Sequence, residues 1–204
     1  MTDYLLDTNI LLRMSDSNSP VHLLATRATA NLIKQGHQVY ITSQNIVEFW
    51  VVATRPIEVN GLGWTVEKTS TEVEELLNQF PLLEENPLIF THWLNCVTTN
   101  NVKGKRVHDV RLIAVMLAHN ITHLLTFNTD DFIGIEGIAI VHPQTVIETE
   151  SVRADNKHYF WHKFRFKLTL GCVESRLIAN PDRQKLVMNI KKMVTSKSHL
   201  DAGA

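Results

Sequence analysis

Cysteine is nearly absent from this chain: Cys96 and Cys172 are the only two in 204 residues, and they form no C-x-x-C pair. A disulfide-scaffolded secreted domain and a Cys/His zinc finger are thereby excluded. No long apolar run is present either. The longest uncharged stretches, around 86–102 and 112–129, are broken by His, Asn and Thr, so no transmembrane helix is visible. The start, Met-Thr-Asp-Tyr-Leu-Leu-Asp, has acids where a signal peptide has lysines. Internal repeats and low-complexity segments are missing too. These absences lead to the expectation of a soluble, cytoplasmic protein.

What is present is ordinary in amount and uneven in placement. The apolar fraction is 44% and the charged fraction 20%, a globular composition on a chain long enough for one domain, or one domain with an appendage. The net charge of −1 hides an asymmetry. Residues 1–150 hold 9 Lys+Arg against 17 Asp+Glu, a balance of −8. Residues 151–204 hold 11 against 4, a balance of +7. An acidic body with a basic tail predicts two parts, 1–147 and a basic extension at 148–204.

Along the body, short apolar runs alternate with helical patterns. Tyr4–Asp7 reads as a buried strand whose end opens toward a helix. The signals Ser19-Pro20 and Gly36 bracket a helix over about 20–35. Val39–Thr42 is a second strand, and Ser43 can cap a helix that ends at Arg55-Pro56. Asn60–Gly63 is a loop, and further helices are expected over about 65–80 and 87–100. The clearest helix carries Val110, Ile113, Ala114, Leu117, Ala118 and Ile121 on one face. Strands at 123–127 and 138–141 follow. Strands separated by helices imply parallel pairing, so the first 145 or so residues form an α/β domain with four or five parallel strands.

Ligands of open parallel α/β sheets sit beyond the carboxyl ends of the strands. Asp7 and Asn128 fall at such ends, Asp109 in the first turn of the clear helix, and Glu48 early in the helix after the second strand. Three carboxylates and an amide can therefore converge at one edge. Hard oxygen ligands of this kind suit Mg²⁺ or Mn²⁺. Each residue also has a simpler reading. Asp7 can cap the turn that begins at Thr8, and Asp109 is the first-turn acid that a helix dipole favours. Asp130 and Asp131 read as surface turn acids. Glu48 lies within Ile46–Val52, where a lone carboxylate is costly unless solvated, paired or metal-bound.

Together, Leu5-Leu6-Asp7-Thr8-Asn9-Ile10-Leu11, Asn45-Ile46-Val47-Glu48-Phe49, His108-Asp109-Val110-Arg111-Leu112-Ile113-Ala114 and Leu125-Thr126-Phe127-Asn128-Thr129-Asp130-Asp131-Phe132 resemble the PIN-domain nucleases. Their pattern is most similar to the VapC-type toxin ribonucleases of bacterial toxin–antitoxin pairs, over about residues 3–145. The resemblance implies a Rossmann-like parallel sheet and an acidic, Mg²⁺- or Mn²⁺-dependent site that cleaves RNA. It also implies an antitoxin partner and a homodimer, with no membrane role. Asp7, Glu48 and Asp109 match the family's first three acids, and Asn9 the residue that orients the first. The fourth position departs: Thr126-Phe127-Asn128 has an amide where many members have Asp. That amide can orient a water but removes one charge.

Two other classes compete. One is a catalytically decayed PIN-like module that binds RNA or protein, motivated by Asn128. The other is a phosphohydrolase of the haloacid-dehalogenase type, which needs a second Asp where this chain has Asn9. His119 and His123 are four apart but lack the H-E-x-x-H context of a zinc pair. In the tail, residues 158–167 interleave aromatic and basic side chains, a composition suited to stacking on bases while pairing with phosphates, or to packing back on the body.

Overall fold

The computed structural model describes residues 2–132 and 137–151. The basic tail, with its run at 158–167 and Cys172, lies outside the described residues.

Five parallel strands form one sheet: β1 (Asp3–Leu6), β2 (Gln38–Thr42), β3 (Leu82–Leu83), β4 (His123–Leu125) and β5 (Ala139–Val141), in the order β3-β2-β1-β4-β5. Among the described residues seven α-helices surround it: α1 (Thr8–Ser15), α2 (His22–Lys34), α3 (Ser43–Thr54), α4 (Val66–Gln79), α5 (Pro87–Thr99), α6 (Arg106–Ala118) and α7 (Pro143–Ser151). Central β1 explains the layering. Leu5 and Leu6 point to opposite faces and both are fully buried, as a strand covered on two sides requires. Leu6 joins a core built from α1, α2, α3, α4 and α7, including Ile10, Leu32, Phe49, Leu76 and Val146. Leu5 joins Leu112, Ile113, Met116 and Leu124, with α6 above them. Ile89 of α5 covers the outer side of α6 at Ala114 and Val115. Helix α6 is thus buried nearly all round.

Several boundaries differ from expectation. Helix α3 is capped by Thr42 rather than Ser43: the Thr42 hydroxyl accepts from the Asn45 amide, and the Asn45 side chain accepts from the Thr42 amide. That reciprocal pair fixes the helix one residue earlier. Helix α6 starts at Arg106 and ends before Ile121, because Asn120 takes a left-handed φ of 56° and the Ile121 amide turns back to the Met116 carbonyl at 2.9 Å. Strand β3 is too short to show a period, and α7 lies beyond the last element that the sequence pattern predicts. The Asn60–Gly63 loop needs its glycine: a Cβ on Gly61 would lie 1.9 Å from the Arg55 carbonyl oxygen. Cys96 is buried, as a small apolar residue should be. The His119 ring Nε2 bonds the Glu84 carbonyl at 2.8 Å. Among the described residues no helix is long and apolar enough to cross a membrane.

From β1 the chain steps outward through β2 to β3, then returns to the other side of β1 for β4 and β5. The strand order therefore reverses between β1 and β4. Beyond the carboxyl ends of two such strands lies the switch-point crevice in which open parallel sheets bind ligands.

Candidate active site

Asp7 and Thr126 are the residues that leave β1 and β4, the register pairing Leu6 with Leu125 just before them. Asp7 occupies the N-cap position of α1 without making a side-chain cap bond. Its Oδ2 instead accepts from the Asn9 amide at 2.7 Å and the Thr126 hydroxyl at 2.6 Å. Asn9 is itself fixed, because its Oδ1 accepts from the Phe127 amide at 3.2 Å. The Thr126 oxygen also accepts from the Asn128 backbone amide at 3.0 Å. One carboxylate thus ties the ends of both strands together.

Helix α3 brings Glu48 to the same crevice. Its first buried position, Asn45, donates to the Thr8 hydroxyl at 3.1 Å, and Thr8 in turn donates to Glu48 Oε2 at 2.7 Å. Glu48 Oε1 accepts from Gln44 Nε2 at 2.7 Å. Both carboxylate oxygens are therefore held, and the carboxylate inside an apolar run is half-buried and partnered rather than stranded. Asp109 stands in the first turn of α6 and is also half-buried.

Electrostatics join these groups. Burial pushes Asp7 up to about 6; its bonds to Thr126 and Thr8 oppose the rise, and the charges of Glu48 and Asp109 add to it. Asp109 is also raised, by burial first, then by Asp131 and Glu48, with His108 and Arg106 opposing. Asp7 and Asp109 thus both sense the charge of Glu48, and a divalent cation would relieve the repulsion among the three. Among the described residues no three His, Cys, Asp or Glu side chains stand close enough to enclose an ion as they are. Their chemistry still suits one: carboxylate oxygens are ligands for Mg²⁺ or Mn²⁺, ions that keep several waters and need no closed protein cage.

Asn128 is placed at the exposed lip of the crevice, opening a short 3₁₀ turn over Thr129–Phe132. That turn buries Phe132 and carries Asp131 toward Asp109, while Asp130 is also exposed. Both are the surface turn acids their composition suggests, and the charge of Asp131 also raises Asp109. The signal that separates Asp131 from Asp130 is its place directly before an apolar anchor, which fixes the direction of the turn. Gln44, Thr8 and Asn45 carry no such signal as partners of Glu48, because their link depends on two elements meeting.

Residues 4–137 match the PIN domain family. No curated protein matches the chain. Among solved structures, the fold is similar to VapBC2 from Rickettsia felis bound to a promoter DNA fragment, with 14% identity and a TM-score of 0.53, covering 69% of this chain and 98% of that one. It is similar to VapBC-1 from nontypeable Haemophilus influenzae, with 19% identity and a TM-score of 0.51, covering 70% and 99%. A toxin–antitoxin complex from Klebsiella pneumoniae gives 23% identity and a TM-score of 0.50, covering 69% and 97%. With the family matched over residues 4–137, nearly the whole α/β body, this chain belongs to the PIN domain family.

Proposed function

We propose that the chain is a divalent-metal-dependent endoribonuclease, the toxin half of a toxin–antitoxin pair acting in the cytoplasm. One observation carries this: Asp7, buried where β1 ends at the sheet's switch point, senses the charges of both Glu48 and Asp109. In this reading those three hold Mg²⁺ or Mn²⁺. The bound ion supplies an activated water and neutralises charge building up on the scissile phosphodiester. The chain's own residues position that chemistry. Asn9 and Thr126 aim Asp7, Thr8 and Gln44 aim Glu48, and the Asn128 amide at the lip orients the attacking water. Asp131 contributes a further carboxylate beside Asp109, which offsets the charge missing at position 128.

The Klebsiella pneumoniae likeness supports an antitoxin partner, and the family resemblance supports a homodimer and an RNA substrate. An acidic body repels polyanions, so the +7 segment at 151–204 supplies attraction for RNA. Replacing Lys163, Arg165 and Lys167 by Gln should flatten the salt dependence of RNA binding, by roughly 0.7 in slope for each phosphate that is no longer neutralised. An unchanged slope would show that these side chains do not touch substrate.

The primary test is Asp109→Asn. Mn²⁺-dependent RNA cleavage should disappear while circular dichroism stays native, and undiminished cleavage would overturn the assignment. A second reading, a decayed binding module, is favoured by Asn128 alone. Calorimetry that finds no Mn²⁺ binding at millimolar metal would favour it.

A further inference from the structure

Glu48 is aimed by a side chain that is itself aimed. Gln44 lies one turn before it on α3, and its Nε2 donates both to Glu48 Oε1 at 2.7 Å and to the His108 carbonyl at 2.9 Å. His108 immediately precedes Asp109. One amide thus spans the two elements that carry the second and third acids. An amide can turn over, and turned over it would present oxygen to the Glu48 carboxylate and to a carbonyl, which is repulsive on both sides. The structure prevents this at the other end. Arg111 NH1 donates to Gln44 Oε1 at 3.1 Å, which commits Nε2 to the crevice.

Arg111 is one neutral amide away from Glu48. Direct pairing with Glu48 would neutralise the charge that a divalent cation requires. A second acid holds it elsewhere: Arg111 NH2 pairs with Glu85 Oε2 at 2.8 Å, and Ser43 donates to the other oxygen of Glu85. The order is Ser43, Glu85, Arg111, Gln44, Glu48: a hydroxyl donor, an acid, its counter-charge, a neutral spacer and the ligand.

We propose that Gln44 is a positioning residue that sets the Glu48 carboxylate relative to Asp109, and that the Arg111–Glu85 pair acts through Gln44 by fixing the direction of its amide. The proposal rests on the reading of Asp7, Glu48 and Asp109 as a metal site. Partners one step behind metal ligands typically change affinity 10–100-fold when removed. Gln44→Met keeps the length of the side chain and deletes both polar ends. In the full chain, titrated with Mn²⁺ alone and read by the free-ion electron paramagnetic resonance signal, it should raise the Mn²⁺ dissociation constant about tenfold or more. Arg111→Met should move it in the same direction by less. The double variant should bind no more weakly than Gln44→Met alone, because Arg111 has nothing left to act through.

A merely structural role would lower the thermal midpoint of the metal-free protein and give additive losses. Wild-type Mn²⁺ affinity in Gln44→Met overturns the proposal. A further loss from Arg111→Met in the Gln44→Met background, as large as in wild type, overturns the part assigned to Arg111. If Gln44→Met does not fold, Arg111→Met alone decides, and unchanged affinity there counts against the proposal. Failure of the underlying reading has a different signature: Asp109→Asn would bind Mn²⁺ as tightly as the wild-type protein.

Discussion

The two walls of the crevice hold their acids by opposite means. On the wall made by β1, β4 and the start of α3, Asp7 is 8% exposed and Thr126 and Asn45 not at all. Both acids there, Asp7 and Glu48, accept hydrogen bonds from neighbouring side chains. On the wall made by α6 and the 3₁₀ turn, Asp109 is half-buried and Asn128 and Asp131 are exposed. Charge there is balanced by neighbours, with Asp131 and Glu48 on one side and Arg106 and His108 on the other. The first wall keeps a carboxylate in a fixed direction at a cost in stability. The second keeps its charge where water and substrate can reach it. A site that must bind an ion and then admit a phosphodiester needs both: a rigid reference and an accessible lip.

Removing the anchor of the rigid wall should have the largest effect on stability. Thr126→Val keeps the shape but deletes a hydroxyl bonded to Asp7, Asn9 and the Asn128 amide. A buried carboxylate and two donors would lose a partner, at about 2–4 kcal/mol by the magnitudes of buried hydrogen bonds to charged groups. Urea unfolding of the metal-free protein at pH 8 measures it. A loss near zero would mean that the wall is less rigid than its hydrogen bonds imply.

Asp7 itself should give a smaller effect with the opposite sign. Its folded-state pKa of about 6 lies above the ordinary 3.8, so the folded protein binds the extra proton and is stabilised by it. The metal-free protein should therefore lose stability as pH rises from about 4 to 6, by roughly 2–3 kcal/mol from this group. Asp7→Asn should remove that slope and raise the melting temperature at pH 8 in chelator, while abolishing metal binding. A steeper fall in the variant than in wild type would contradict the cost assigned to the buried charge. Added Mn²⁺ should stabilise wild type more at pH 8 than at pH 5, because protons compete for the same oxygen.

The same contrast explains which features are legible in the sequence. Positions set by local pattern can be read there: strand-end Asp7, the apolar face of α6, and Glu48 conspicuous among apolar neighbours. Their burial or their unlikely company marks them. The partners cannot be read, because Thr8 reaching Glu48 and Asn9 reaching Thr126 join residues 40 and 117 positions apart. Strand β3 escapes a pattern-based reading because two residues carry no period. Asp130 and Asp131 look alike as turn acids, and only burial of Phe132 tells them apart.

That last distinction supplies the smallest expected effect and the sharpest test of the compliant wall. Asp131 is a like charge that raises Asp109, and Asp130 is the neighbouring acid of the same turn. Asp131→Asn should therefore bring the Asp109 carboxyl back toward its ordinary range, and Asp130→Asn should leave it where it is. Side-chain carboxyl NMR titration of the metal-free protein reads the two variants directly. Burial, the larger cause, is untouched by either change, so the return with Asp131→Asn should be partial. Because Asp131 is solvent-exposed, added salt should shrink the difference between the variants. Equal shifts from both variants would mean that Asp109 senses only the overall acidity of the turn, and the lip would then lack the specific pairing that separates it from an ordinary acidic surface.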